Sequence, residues 1–347
     1  MRQLLNDKPA SITSGRFYTV LGLFFCFGSV IAQENTQPLI TDGKVQTVLA
    51  NGERFVDYFV PEQADGDQLI LEAVGADGGW IEYQYHDHFE TVRTKRVNGG
   101  EGAMATAIYS VGRGRSIPPG AILRFVIGNR GHWAKYDLLN SGGYGGGGGG
   151  GTAILISKDS GTTWAILMVA GGGGGGAVRF PDGRNEMEWN AGYPGASTEN
   201  GLGGQHYRNL IAKGGEQGRG GHSNERTGGG GGAFDDGVHT QGVLYHGTAG
   251  WKDYRLNGQP LGGLGGIDKE GHQGGWGFGG GGSGLEGGGG GGGYSGGGAG
   301  MQGYGGGGGG SFVNKTGFFP DKVEVIENGN TNNTGDGYIR YKFLKGE

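Results

Sequence analysis

Six runs of consecutive glycine, at 145–151, 171–176, 228–232, 279–282, 287–293 and 305–310, leave this chain two ways to fold. Of 90 glycines in 347 residues, 68 lie between Gly142 and Gly310, so the excess is regional and needs a local explanation. One outcome is a flexible low-complexity linker, because glycine loses the most freedom on ordering and fixing a backbone costs about 1–2 kcal/mol per residue. The other is a bundle of polyproline II helices, with three residues per turn, about 3.1 Å rise and no internal hydrogen bonds. Without side chains, such helices approach closely enough to bond backbone to backbone, which satisfies polar groups that burial would otherwise leave unpaired.

The neighbours of the runs bear on the choice. Flexible linkers are Gly/Ser mixtures with little apolar content. Here the runs abut apolar blocks at 152–156 and 164–170 and alternate with Tyr144, Trp251, Trp276, Phe278, Tyr294 and Tyr304. Composition alone leaves linker and bundle both open.

Outside the glycine-rich region the patterning is of the β type. Short runs at 45–50, 54–60 and 68–74 are separated by Asn51-Gly52 and Asp65-Gly66, where Asn, Asp and Gly tolerate left-handed turn geometry. Residues 81–92 alternate with period two, and 104–111 and 121–127 are further apolar runs. Segment 152–170, with a turn at Lys158-Asp159-Ser160-Gly161, reads as a hairpin; 322–327 and 338–344 read as closing strands. No sustained 3.6-residue period occurs, so the expectation is an antiparallel sandwich. The expected organisation is a secretory signal at 1–32, a first part of the sandwich at 33–141, a glycine-rich insertion at 142–310 containing the hairpin 152–170, and closing strands at 311–347.

The signal is read from Arg2, Lys8 and Arg16, a mostly apolar stretch at 20–31, and Val30-Ile31-Ala32 before Gln33. Twelve residues are too few to span a bilayer, so a secreted, extracellular product is expected. Cleavage there would remove Arg2, Asp7, Lys8 and Arg16, taking the formal charge from −5 to −7. A mildly acidic surface argues against nucleic acid and anionic membranes as partners. The lone cysteine, Cys26, lies in the leader, so no disulfide supports the mature chain. Asn314-Lys315-Thr316 and Asn332-Asn333-Thr334 are glycosylation acceptors in a eukaryotic host, at Asn314 and Asn332.

Catalytic signatures are sparse. No glycine run ends in Gly-Lys-Ser/Thr, and Gly293-Tyr294-Ser295-Gly296-Gly297 lacks the strand-to-helix context of a nucleophile elbow. Asp65-Gly66-Asp67 and Asp235-Asp236-Gly237 need no ion to be turns. Strand periodicity places Glu82, Gln84, His86, His88 and Glu90 on one face, with Tyr83, Tyr85 and Phe89 inward; Glu82, His86 and His88 have donor types that could ligate zinc. The bland alternative is the solvated face of an edge strand, and no cofactor is expected. Trp189, Tyr193, Tyr207, Trp251 and Tyr254, in the long loops, are candidate contact residues, although aromatics equally suit small cores between glycine helices.

Three stretches resemble a known family. Leu69-Ile70-Leu71-Glu72-Ala73-Val74-Gly75-Ala76-Asp77-Gly78-Gly79, Ala107-Ile108-Tyr109-Ser110-Val111-Gly112 and Leu123-Arg124-Phe125-Val126-Ile127-Gly128-Asn129-Arg130-Gly131 are similar to segments leading into the extracellular glycine-rich region of anaplastic lymphoma kinase and leukocyte tyrosine kinase. The likeness continues through Ile166-Leu167-Met168-Val169-Ala170 with its glycines, through Gly275-Trp276-Gly277-Phe278 and the 287–293 run, and into the closing strands, about 39–344 in all. It implies a tumour-necrosis-factor-like β-sandwich from which a hexagonally packed glycine-helix bundle projects, in an ectodomain that binds a cytokine. This chain has no kinase signature and lacks the family's cysteines, so no ligand-contact residue is carried over. The resulting expectation is an all-β, non-catalytic binding or adhesion module whose glycine bundle presents loops to an extracellular protein or glycan. The alternatives are a self-associating matrix or coat component and a zinc-dependent enzyme.

Overall fold

Alternation in the apolar runs sets the architecture. The computed structural model describes residues 36–346 except 88, 137–142, 180–187, 206–211, 225, 239–244, 253–257, 269–271 and 332–333. The expected signal, His88, Tyr207, Tyr254 and Asn332 lie outside the described residues. Residues 35–347 form one compact unit, almost entirely of strands and extended segments. Among the described residues no helix is long and apolar enough to cross a membrane.

Two sheets face each other across the main core. The first has the order β1 (Gln37–Pro38), β3 (Val56–Phe59), β8 (Ile122–Val126), β11 (Thr152–Ser157), β12 (Ala165–Ala170) and β15 (Phe312–Val313). The second has the order β16 (Lys322–Ile326), β7 (Met104–Ser110), β4 (Gln68–Val74), β17 (Tyr338–Leu344) and β2 (Gln46–Leu49). Its inner face follows period two: Leu69, Leu71 and Ala73, then Ala105, Ala107 and Tyr109, then Ile339, Tyr341 and Phe343 are all buried. They meet Leu123, Phe125, Ile154, Ile156 and Leu167 of the first sheet. The turns expected at Gly52 and Gly66 have left-handed glycine, with φ of +85° and +89°.

At β8, β11 and β12 the first sheet is buried on both faces, which is why these strands read as nearly continuous apolar runs. Its outer face, Val126, Ala153, Leu155, Ile166 and Val169, meets Ala233, Phe278, Trp251, Trp276 and Tyr294 from the glycine-rich region. On that face Arg124 donates twice to Asp57 at 2.8 Å, and its guanidinium lies between the rings of Phe55, at 3.8 Å, and Trp164, at 4.1 Å.

Two three-stranded sheets form a separate cap. One has the order β6 (Val92–Val97), β5 (Ile81–His86) and β9 (Ala134–Tyr136). The other has the order β10 (Gly143–Gly145), β13 (Ala177–Arg179) and β14 (Glu188–Asn190). The single strand expected at 81–92 is instead a hairpin. Asp87 accepts hydrogen bonds from the amides of Phe89 (2.9 Å) and Thr91 (3.0 Å) and from Arg93 (2.9 Å), closing a turn without glycine or proline. Phe89, expected to point inward, is 74% exposed in that turn.

Glycine-rich segments connect sandwich to cap: 75–80 joins β4 to β5, 127–133 joins β8 to β9, 145–151 joins β10 to β11, and 171–176 joins β12 to β13. Their hydrogen bonds step by three. In 145–151 the amides of 145, 148 and 151 donate to Leu285, Gly282 and Gly279, those of 146 and 149 to Gly176 and Gly173, and those of 147 and 150 to His132 and Asn129. The carbonyls accept with the same step, from Gly289 and Gly292, from Gly79 and Ala76, and from Gly275 and Phe278. One run thus bonds six neighbours, three as donor and three as acceptor. The run 287–293 repeats this, with neighbours at 304–307, 146–149, 228–231, 172–175, 297–300 and 282–285.

Positive φ does not explain the glycine here, since no residue of 145–151 has it. A Cβ would overlap a backbone carbonyl of a neighbouring segment at each of these seven positions. Glycine is required for what it lacks.

Candidate functional site

Of the candidate contact and metal residues, the structure gathers Trp189, Glu82 and His86 at the cap. The inner face of β5 carries Ile81 and Tyr83, buried with Val97 and Val178. Trp189, on β14, closes this small core edge-on to Tyr83 (6.2 Å, 80°) and to Tyr85 (5.6 Å, 62°). The Lys95 ammonium lies 4.6 Å from the centre of the Trp189 ring. Trp189 therefore joins two sheets and seats a cation, and is only partly available as a contact residue.

The opposite face of the same hairpin carries a ladder of planar groups. Trp80 stacks on Trp133 with centroids 4.6 Å apart and planes 7° off parallel, and the Arg96 guanidinium covers the other side of Trp80 at 4.1 Å. His132 continues the ladder, its ring 6.0 Å from Trp133 and 1° off parallel. The parallel pairing of β5 with β9 at Ile81 and Ala134 brings Trp80 to Trp133. Lys135 pairs with Glu82 at 2.9 Å, and its ammonium is 6.0 Å from Trp80. Strand β6 forms the edge of its sheet and is exposed from Val92 to Arg96, presenting Arg93, Lys95 and Arg96. The Arg93 hydrogen bond holds the Asp87 carboxyl below its ordinary range.

The proposed zinc face is occupied otherwise. Glu82 is committed to Lys135, and the His86 ring nitrogen Nδ1 is 3.1 Å from the Glu90 carbonyl oxygen. Among the described residues no three His, Cys, Asp or Glu side chains are grouped as metal ligands. Tyr193 is 36% exposed, and its hydroxyl accepts from Gln205 at 2.7 Å. Trp251 lies away from the cap, against the first sheet, with Phe234 at 6.3 Å and its indole N–H donating to the Gly258 carbonyl at 2.6 Å. It belongs to a core. The Asn314 side chain is also engaged: its amide donates to Ile166 at 3.0 Å and its oxygen accepts from Thr316 at 2.9 Å.

Two charged features were not singled out by sequence reasoning. Asp268 and His272 form a buried pair, Oδ2 to Nδ1 2.8 Å. Burial, with His132 adding to it, pushes the His272 imidazole down to about 4, so a neutral ring donates to the carboxylate. Asp77, where 75–80 leaves the sandwich, accepts from the Gly102 amide at 2.9 Å, and burial pushes its carboxyl up to about 7. Both sit in loops or glycine stretches without a periodic signal.

No protein-family model matches the chain, and a search of curated proteins finds no match.

Proposed function

We propose that this chain is a secreted, non-catalytic recognition module. Its glycine runs act as polyproline II helices in a hexagonal bundle, and the bundle holds the aromatic and basic cap away from a tumour-necrosis-factor-like sandwich. The observation that carries this reading is the three-residue step of the hydrogen bonds of 145–151 and 287–293, each with six neighbours. Three residues per turn is the repeat of polyproline II, and six neighbours is the coordination of hexagonally packed rods. The resemblance to the glycine-rich region of anaplastic lymphoma kinase and leukocyte tyrosine kinase supports the same arrangement, and with it an extracellular protein or glycan as partner. The cap supports recognition because Trp80, Trp133, Arg96 and Lys135 combine planar area with charge on one face of elements fixed by sheet pairing.

Binding of the fluorescently labelled chain to intact cells and to extracellular matrix tests this function. Saturable binding is expected, lost in Arg96→Glu and in Trp133→Ala and retained in Glu324→Lys on the outer face of the sandwich. No saturable binding, or equal binding by all variants, refutes it. Amide hydrogen exchange tests the scaffold separately: the glycine amides of 145–151 exchange slowly if bonded as described and at unstructured-peptide rates if the runs are tethers.

A further inference from the structure

Strand β6 is the open edge of the cap. Asp87 and Thr91 lie opposite each other where the hairpin turns, and the Asp87 amide donates to the Thr91 carbonyl at 3.0 Å. Bonding along an antiparallel ladder alternates, so with Tyr85 opposite Arg93 and Tyr83 opposite Lys95, it is Arg93, Lys95 and Val97 that turn their backbone groups to β5. The N–H and C=O groups of Val92, Thr94 and Arg96 therefore point to the open side. Asn98 continues that series, and its carbonyl accepts from the Gly192 amide at 3.2 Å, so the chain after β14 covers the edge only from there on. Among the described residues no backbone group bonds the open side at 92, 94 or 96. Every residue from Val92 to Arg96 is exposed, and the strand carries no proline, glycine or shift of register that would stop a further strand from pairing.

We propose that this edge binds an extended acidic peptide of a partner protein, which joins the sheet as a further strand. Main-chain hydrogen bonds to residues 92, 94 and 96 hold the peptide, and the side chains beside them select it. The selection is by charge: Arg93, Lys95 and Arg96 are clustered here on a chain whose formal charge is −5. Asp87 engages Arg93 at 2.9 Å, whereas Lys95 and Arg96 have no carboxylate partner among the described residues. Glu82 lies opposite Arg96 in the ladder but is committed to Lys135 at 2.9 Å. Consecutive residues of a strand lie on opposite faces, so Lys95 and Arg96 are matched by adjacent carboxylates, one on each face of the incoming strand. Val92, which is 50% exposed, and Thr94 share the Arg96 face and are matched by apolar or β-branched residues. The same cations disfavour a second copy of β6, because antiparallel pairing of two such edges brings like charges together. The inference rests on the reading of the cap as a recognition surface and names the partner of that surface.

Fluorescence polarisation of a fluorescein-labelled peptide, Thr-Glu-Glu-Val-Thr-Val-Thr, with the full chain tests it. Saturable binding is expected, weakened by raised salt and at least about tenfold by Lys95→Glu. Thr94→Pro removes an outward N–H and no bond to β5, and weakens binding by at least as much; slow exchange of the β5 amides verifies that this variant keeps its fold. N-methylation of one alternate set of peptide amides abolishes binding and of the other set leaves it intact, since only one set faces β6. No binding, binding indifferent to Thr94→Pro or to Lys95→Glu, or equal binding of the two methylated peptides overturns the proposal, the last being what charge attraction alone gives, as with an anionic glycan. Cell binding lost in Arg96→Glu but kept in Thr94→Pro likewise overturns it while leaving the recognition role of the cap standing. Absence of saturable cell binding counts against that role whatever the peptide does.

Discussion

Gly148→Ala is the sharpest probe of the fold. Gly148 donates to Gly282 at 2.9 Å and accepts from Gly275 at 2.8 Å, and its φ is negative, so alanine suits its backbone conformation. The obstacle is the Gly290 carbonyl, which lies roughly 1 Å inside van der Waals contact of a Cβ at 148. Gly290 cannot retreat alone. Its neighbours Gly289 and Gly292 donate to Gly146 at 2.9 Å and Gly149 at 2.8 Å, and Gly290 itself donates to Gly228 at 2.9 Å. A displacement of about 1 Å takes two such bonds out of range, and each buried group left unpaired costs about 1–3 kcal/mol. Alanine returns about 0.4–1 kcal/mol by restricting the unfolded chain, which leaves about 3 kcal/mol of destabilisation. Gly114→Ala is the control: it has open space around it and a φ of +74°, so its cost is the left-handed penalty of about 1–2 kcal/mol. Urea unfolding monitored by tryptophan fluorescence should give a midpoint for Gly148→Ala clearly below that for Gly114→Ala. Equal midpoints would mean that the bonded, side-chain-free packing of the run contributes nothing special, and the reasoning would fail.

Other perturbations address other parts of the molecule. Asp57→Ala leaves the 7% exposed Arg124 without its carboxylate and should destabilise by about 3–5 kcal/mol in chemical unfolding, whereas Asp57→Asn should lose less. Asp77 binds its proton more tightly in the folded chain, so it lowers stability as pH rises from 3.8 to about 7. At about 1.36 kcal/mol per pKa unit that effect is bounded at about 4 kcal/mol. Asp77→Asn should flatten the decline in urea midpoint across that window, and an unchanged slope would refute the assignment. His272 works the opposite way: its folded value of about 4 lies below the ordinary 6.5, so its contribution is lost as pH falls from 6.5 to 4, and His272→Gln should remove that acid-side loss in thermal melts. Trp189→Ala removes the ring shared by Tyr83, Tyr85 and Lys95 and should loosen the cap by about 3 kcal/mol, read as faster exchange of the β5 amides with the sandwich unaffected.

What the sequence revealed depended on whether its signal was local. The strands 68–74, 152–157 and 338–344 were legible to the residue, because their apolar pattern and the turns at Asp65-Gly66 and Ser160-Gly161 are written within a few positions of each other. The hairpin at 81–97 was not, because Asp87 makes its turn with a side-chain carboxylate, and alternation runs into it without interruption. The ladder from His132 to Arg96 was invisible for a different reason: Trp80 and Trp133 meet only through a parallel pairing, which leaves no short-range trace. Trp251, in a charged loop, was open to either a contact or a core reading; the outer face of the first sheet needs covering, and Trp251 covers it.

The same geometry determines where such a protein can keep information. In 145–151 all six directions around the run are taken by neighbours, so no position admits a side chain, and the run can encode only its length. At the rim, 260–268 has neighbours for two positions of each triplet, and the third is free to vary. At the ends, where the runs become β5, β9 and β13, ordinary side chains return and the aromatic and basic groups collect. On the proposed function, recognition is therefore confined to the rim and the ends of the glycine-rich region. On that proposal, a change at Arg96 should alter what the molecule binds without altering its fold, while a single methyl group at Gly148 should do the reverse.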